Sequence, residues 1–422
     1  MSGTPHGAAD PAAVLIGDGD PAAALVRVVS TLAPVPLARL RVDVVAVPFR
    51  TPVATAAGPW TWRRSILLTL RDADGAHGTG EVAPAPGEET AALAVVASLA
   101  HGLDGLTPGE ALAAIDADRT ADRVTRGAAD RMTAPIDELA LASAIGAGIE
   151  TALLDLVGRR AGLPVAALLA GVSGSVAARG RVAVSALVSE PDAEEAAAVA
   201  AAAVARGARC LKLKVGGEPD LAVFVRRLAA VRAAAGDDME LRLDANGAWS
   251  IEDATDRLRA ALPFRVAYVE QPVASIADMA ALRRAVPVPV AADEAVGGAA
   301  AAQRLVDAGA ADVLVVKPAR VGGAVETLRI AAIALDAGIP LVLSTFYETG
   351  IGLAAALHLA AALPGGDVAH GIATGALLAS DLLARSPLLL AGALILPEAA
   401  GLGVELDPNI VAEFRESARN EP

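Results

Sequence analysis

The chain has 422 residues, with 35 Lys and Arg against 49 Asp and Glu for a formal charge of −14. That length exceeds one barrel of roughly 250 residues and calls for a second, smaller domain. The acidic balance excludes a general attraction to nucleic acid or anionic membrane, so an anionic ligand must be held by local cations.

Residues 1–36 are rich in Ala, Gly, Pro and Asp and read as a mobile extension, with one apolar stretch at 23–29 suited to a short helix. Asp10, Asp18 and Asp20 precede the first Arg or Lys, Arg27, so the positive start of a secretory signal is missing and no export is expected. From Leu37 onward RLRVDVVAVPF, SILLTLRD and GTGEVAP alternate partly with period two and predict three strands. Between the first two, residues 50–64 (RTPVATAAGPWTWRR) read as a long loop of the kind that closes over a binding site. Helical patterns follow at 88–101, 108–117 and 136–161. Strands followed by helices predict an α+β capping domain over residues 37–150, completed by about 388–415, where GLGVELD predicts a returning strand.

The pattern then changes. From Arg181 the runs VAVSALV, CLKLKV, LRLDA, AYVEQP, VPVAADE, DVLVVKP, PLVLST and a weaker HGIAT alternate with Ala-rich helical segments. Eight strands close a barrel, so the fold class expected is α/β, a modified (β/α)₈ barrel over residues 151–387. The uncharged stretch 349–366 contains His358, Pro364 and several glycines and reads as a buried barrel helix, so no membrane span is expected. The single cysteine, Cys210, excludes an internal disulfide, fits a reducing, cytoplasmic location, and reads as a small core residue.

Lys214, Asp244, Glu270, Asp293 and Lys317 each close an apolar run, and their gaps of 30, 26, 23 and 24 residues match one strand plus one helix. Each therefore falls at the carboxyl end of a barrel strand, where such barrels keep their chemistry. Residues two apart share a strand face, so Lys212 and Lys214 point inward together, as do Arg242 and Asp244, while Leu211 and Leu213 point out. Buried charges need partners. Asp244, Glu270 and Asp293 supply hard oxygen donors, which suit Mg²⁺ better than Zn²⁺, with Asn246 and Glu294 beside them. Lysines flanking a divalent cation suit proton abstraction next to a substrate carboxylate, through an enediolate whose charge the cations stabilise. A base must be neutral, and Lys212 beside Lys214 and a nearby metal push the lysine pKa downward.

Other signals are weaker. Gly78, Gly80 and Ala83 fit a dinucleotide fingerprint formally, but Pro84 follows and no helix starts there. His358 and His370 fall away from the catalytic rim and read as structural.

The ordered motifs KLK, DAN, EQP, DE and KP resemble the muconate-lactonizing subgroup of the enolase superfamily. More narrowly, GTGEVAPAPGEET, LRLDANGAWS, VLVVKPARVGG and STFYETGIGL are similar to the o-succinylbenzoate synthase family of menaquinone biosynthesis, a likeness covering residues 41–407. The resemblance implies a Mg²⁺-dependent dehydration of a small carboxylate, 2-succinyl-6-hydroxy-2,4-cyclohexadiene-1-carboxylate, to 2-succinylbenzoate. It implies Lys214 as the base, Lys317 on the opposite face, and Asp244, Glu270 and Asp293 as metal ligands. Lys212 and Arg242 match supporting cations, and Ser344 and Thr345 match groups near the substrate carboxylates. The sequence departs from the family at Phe346 and Tyr347, in the succinyl pocket, and strand seven lacks the His of the mandelate-racemase branch. The rival activities are an N-acylamino-acid racemase or dipeptide epimerase and, more remotely, a catalytically silent binding barrel.

Overall fold

The computed structural model describes residues 20–55, 58–125, 138–175 and 177–416. Helix α1 (Pro21–Leu32) opens the described chain, and the Asp20 carboxylate caps it by accepting from the Ala22 amide. Ala22, Leu25 and Val29 recur at the spacing that gives a helix one buried face, and all three are buried. Arg329 binds both Asp20 and Asp116 from the barrel side. The later part of the expected mobile extension is therefore a packed helix; residues 1–19 lie outside the described residues.

Strands β1 (Leu37–Thr55), β2 (Gly58–Asp72) and β3 (His77–Val82) form one antiparallel sheet in that order. Residues 50–64, expected as a loop, are mostly the far end of the β1–β2 hairpin. Pairing shifts register between Pro48 and Val53 and resumes with Val53 opposite Trp60. The prolines there lack the amide hydrogen the ladder needs, so the strand bulges and continues. Residues 56 and 57, at the tip, lie outside the described residues.

Helices α2 (Glu89–Leu103), α3 (Pro108–Thr125) and α4 (Glu138–Ala161) follow. α4 packs directly on β3, and the two glycines of the GTG run permit it. A Cβ at Gly80 would stand 2.0 Å from the Gly148 carbonyl oxygen, and one at Gly78 2.1 Å from that of Ala152. The run is a close-packing seam, not a phosphate loop. Among the described residues one helical stretch, Leu139–Ala161, is long and apolar enough to cross a membrane, but 83% of its most apolar window is buried within the protein. It is a core helix.

After α5 (Val165–Ser173) the chain enters the barrel. Its first expected strand splits: β4 (Arg181–Ala183) leaves the barrel wall and β5 (Ala186–Val188) joins it. Next come α6 (Ala193–Ala205), β6 (Cys210–Lys214), α7 (Leu221–Ala235), β7 (Glu240–Asp244), α8 (Ile251–Ala261) and β8 (Tyr268–Glu270). They are followed by α9 (Ile276–Ala285), β9 (Val290–Ala292), α10 (Ala299–Asp307), β10 (Val313–Val316), α11 (Pro318–Val321), α12 (Ala324–Asp336), β11 (Leu341–Leu343) and α13 (Gly350–Ala362). Asp192, Asp220, Ser250 and Ser275 cap four of these helices through their side-chain oxygens, which fixes where each strand-to-helix loop ends.

β5 to β11 form one parallel sheet in chain order. The eighth position is held only by isolated bridges, His370 to Val184 on one side and Gly371 to Ser344 on the other. Those two bridges close the ring. Leu211, Leu213, Leu241 and Leu243 face the helices, while Tyr268, Ala291, Val313, Val315 and Val342 fill the barrel interior.

β12 (Leu389–Leu390) and β13 (Ala393–Ile395) form a hairpin that adds to β4, not to the capping sheet. GLGVELD is not a strand; Gly401 and Gly403 adopt positive φ of 72° and 65°, which breaks extended pairing. The return to the capping sheet is made by α14 (Pro408–Phe414), whose Val411 packs with Val45 and Val47.

Candidate active site

Strand register assembles the charged residues. Lys212 pairs with Arg242 and Lys214 with Asp244 across β6–β7, and Asp244 pairs with Glu270 across β7–β8. Side chains in register on a parallel sheet share a face, so these groups project to one side while their leucine neighbours project to the other. Asp293 follows β9, and Lys317 follows β10 at the start of α11.

The side chains meet in buried ion pairs. Lys212 Nζ lies 2.8 Å from Asp244 and 2.9 Å from Glu270. Lys214 Nζ donates to Asp244 Oδ2 at 2.6 Å and to Asn246 Oδ1 at 2.8 Å. Asn246 in turn donates to Glu294 at 2.9 Å, and Lys317 pairs with Asp293. Asn246, Gln271 and Tyr347, all just beyond strand ends, hold positive φ of 46°, 38° and 60°. Such backbone persists only where its surroundings impose it.

The electrostatics follow from burial and proximity. Burial alone would raise the Asp244 carboxyl, but the Lys212 and Lys214 charges hold it far below the usual carboxylate range. Glu270 moves the other way: burial and the adjacent Asp244 charge push it well above its ordinary value, against Lys212. Burial opposes the charged form of Lys212 and Lys317, yet Asp244 and Glu270 for the first, and Asp293 and Glu294 for the second, raise both. For these two lysines the carboxylate charges outweigh the cost of burial.

A cavity of about 690 Å³ opens over these groups. Lys212, Lys214, Asn246, Asp293, Lys317, Ser344 and Thr345 all line it. Its apolar wall is aromatic: Trp60 meets Phe346 edge-on at 5.3 Å and Tyr347 at 5.9 Å. Trp60 thus belongs to the site, whereas Trp62 is exposed and Arg64 pairs with Glu416 instead. Arg242 does not reach the cavity. Its guanidinium is spent on Glu240, the Ala369 carbonyl and the face of Tyr268, deeper in the barrel. Cys210 is buried, and burial pushes its thiol up to about 12.

Sequence reasoning passed over two further groups. Gln271 accepts from the Asp293 and Ala295 amides and donates to the Val273 carbonyl, which fixes the loop carrying Asp293. Its place in EQP, directly after Glu270, was the available signal. Thr374 shares a 2.7 Å hydroxyl contact with Thr345, and only the fold brings the two together.

Among the described residues no three His, Cys, Asp or Glu side chains are drawn together as a ready metal cage. Lysines engage all three carboxylates instead. The donor set nevertheless fits a hard divalent cation: Asp244, Glu270 and Asp293 are buried oxygen donors on consecutive strands, and two of them already share one cation, the Lys212 ammonium.

An antiparallel cap on a parallel eight-position barrel, with lysines and carboxylates at its strand ends, defines a two-domain acid–base barrel protein. Residues 39–170 match the family model of the mandelate racemase / muconate lactonizing enzyme N-terminal domain, and residues 194–410 match that of the enolase C-terminal domain-like family. The chain belongs to the enolase superfamily. It is 42% identical over 206 residues to an o-succinylbenzoate synthase of Thermobifida fusca, covering 48% of this chain and 63% of that protein. It is 36% identical over 275 residues to a hydrophobic dipeptide epimerase of Enterococcus faecalis, covering 63% of this chain and 73% of that one. A muconate lactonizing enzyme from Pseudomonas fluorescens, complexed with muconolactone, superimposes with a TM-score of 0.78 at 29% identity, covering 90% of this chain and 100% of that one. A dipeptide epimerase from Cytophaga hutchinsonii, complexed with Mg and the dipeptide D-Ala-L-Val, gives 0.75 at 25% identity, covering 90% and 98%. The chain spans 63% and 53% of the length of two o-succinylbenzoate synthases it matches. The proteins it resembles are enzymes.

Proposed function

We propose that the protein is a carbon–oxygen lyase that dehydrates 2-succinyl-6-hydroxy-2,4-cyclohexadiene-1-carboxylate to 2-succinylbenzoate, a step of menaquinone biosynthesis in the cytoplasm. The observation that carries this reading is the placement of the two lysines. Lys214 ends β6 and Lys317 follows β10, four positions apart around an eight-position ring, so they face the cavity from opposite sides with Asp244, Glu270 and Asp293 on the strands between. Greater identity to o-succinylbenzoate synthase than to the epimerases supports dehydration over racemisation.

In this reading Lys214 removes the proton on the carbon bearing the carboxylate, and the electron pair moves into the carboxylate to give an enediolate. The ring hydroxyl then leaves, taking a proton from the Lys214 ammonium. One water departs for each substrate aromatised. Lys317, charged and on the other side, stabilises the enediolate. Ser344 and Thr345 are hydroxyl donors near the substrate carboxylates, and the aromatic wall shields the site from water. Asp244, Glu270 and Asp293 would hold Mg²⁺, which when bound supplies Lewis-acid stabilisation of negative charge on the carboxylate.

The second reading is an N-acylamino-acid racemase or dipeptide epimerase. Two lysines flanking one carbon can exchange its proton with inversion, and the epimerase likeness extends over more of the chain. Assay with the cyclohexadiene precursor, N-succinyl amino acids and dipeptides tests both. Turnover of amino-acid derivatives without aromatisation of the precursor would replace the first reading by the second.

A further inference from the structure

One barrel helix is capped from the other domain. α13 starts just after the strand-seven turn, and its own N-terminal residue, Thr349, makes no side-chain cap. Glu81 of β3 takes the place of one. The Thr349 amide donates to Glu81 Oε1 at 2.8 Å, the Gly352 amide to Oε2 at 2.9 Å, and the Thr349 hydroxyl to Oε2 at 2.8 Å. Ser65 on β2 donates to Oε1 at 2.7 Å. Glu81 and Thr349 are both buried and lie 268 residues apart. A carboxylate in this place satisfies helix-end amides that otherwise have no partner and complements the positive end of the helix dipole. The contact is tight: a Cβ at Gly352 would stand 3.2 Å from Glu81 Oε2 and 2.4 Å from Glu348 Cβ.

The turn leading into that helix carries the cavity wall. Its strand end is fixed within the barrel, where the Ser344 amide donates to Val316 and the Thr345 amide to Gly371. The Phe346 amide closes the turn on Glu348 Oε2 at 2.6 Å, and Tyr347 follows in left-handed backbone. Phe346 and Tyr347 therefore sit between a strand the barrel holds and a helix start that the capping domain holds.

We propose that Glu81 is a positioning residue for the substrate pocket: by capping α13 across the domain boundary it fixes the turn that presents Phe346 and Tyr347 to Trp60 as the apolar wall. Its kinetic consequence rests on the proposed catalytic reading, whereas its effect on the wall does not.

The test is Glu81→Gln in the full chain, which keeps the side-chain shape but turns an N–H donor toward backbone amides. Trp60 emission is obtained as the difference between spectra with and without Trp60→Phe. The expected result is a red shift and stronger acrylamide quenching of Trp60 in a protein that still melts cooperatively. On the turned-over substrate KM rises about tenfold while kcat changes by less than about threefold, the split that marks lost ground-state binding. Ser65→Ala, which leaves the cap intact, has a smaller effect on both. If Glu81→Gln fails to fold, Thr349→Val, which removes only the hydroxyl contact, is read the same way. Unchanged Trp60 emission and quenching in a folded variant, or a fall in kcat with KM unmoved, overturns the proposal and leaves Glu81 a structural cap alone.

Discussion

Lys214 and Asp244 stand directly opposite each other in the β6–β7 pairing, with Nζ 2.6 Å from Oδ2. The next step of the same register sets Glu270 beside Asp244. One face of three adjacent strands thereby collects a base candidate, its counter-charge and a further carboxylate, while the alternate face is given to leucines packed on helices. The electrostatic balance of the site is a consequence of strand parity.

Removing one of these carboxylates is expected to abolish turnover without unfolding the chain. In Asp244→Ala, Lys212 keeps Glu270 and Lys214 keeps Asn246 as partners, so the fold retains its charge compensation. Loss of a preorganised electrostatic group costs at least about 10² in kcat. Steady-state assays of Asp244→Ala and Glu270→Ala, and of the unaltered protein in excess chelator followed by added Mg²⁺, check this. Full activity in either variant or in chelator would sink the metal-assisted reading.

The lysines are separable by isotope exchange. With one base, Lys214→Ala stops exchange of the substrate α-proton with solvent and lowers turnover by about 10² to 10⁴. Lys317→Ala slows turnover by loss of charge stabilisation yet leaves exchange detectable. Exchange in deuterium oxide, followed by NMR, distinguishes them. Undiminished exchange in Lys214→Ala contradicts the assignment, and exchange from both faces in the unaltered protein favours racemisation.

Trp60 and Trp62 lie two residues apart on β2, on either side of the register shift, with Trp60 opposite Val53 and Trp62 opposite Pro48, and only Trp60 is buried. Trp60 packs on Phe346 and Tyr347, whereas Trp62 is 52% exposed. Trp60→Ala should cost about 3 to 5 kcal/mol of stability and raise KM, as removal of a large buried aromatic does. Trp62→Ala should stay within about 0.5 kcal/mol of the unaltered protein. Denaturant titration with parallel kinetics measures both, and equal effects would refute the wall.

Acid should destabilise the fold through two histidines. His358 accepts the Ala166 amide at Nδ1 and meets the Leu402 carbonyl through Nε2, which requires a neutral ring. Burial lowers its pKa to about 4, and burial with the Arg179 and Arg242 charges lowers that of His370 to about 3. An unfolded imidazole titrates near about 6.5, so below that pH the unfolded chain binds more protons and stability falls. The loss continues to about pH 4 for His358 and pH 3 for His370. Each contributes a slope of about 1.4 kcal/mol per pH unit. Unfolding free energies between about pH 7 and 5 for the unaltered chain and His358→Gln give the slopes. A slope that the substitution leaves unreduced assigns the acid sensitivity elsewhere.

Much of the site was legible in the chain because strand periodicity is local. The inward set Lys212, Lys214, Arg242 and Asp244 follows from period-two alternation against Leu211, Leu213, Leu241 and Leu243. Where Arg242 spends its donors was not legible: it points the same way as Asp244, one layer lower, and is taken up by Glu240 and the Ala369 carbonyl. The hairpin over residues 50–64 was obscured by its prolines, which suggest a loop locally although pairing resumes beyond the bulge.

The sequence by itself determined the barrel period and the charged strand ends, since each depends on neighbours a few residues away. Tertiary structure alone decided that the eighth strand position, legible as HGIAT, is reduced to two bridges at His370 and Gly371, that Gly78 and Gly80 seat β3 against α4, that α1 packs down instead of trailing, and that Glu81 caps a helix in the other domain. Those contacts join residues far apart along the chain, and no local pattern encodes a partner that only folding brings within hydrogen-bond reach.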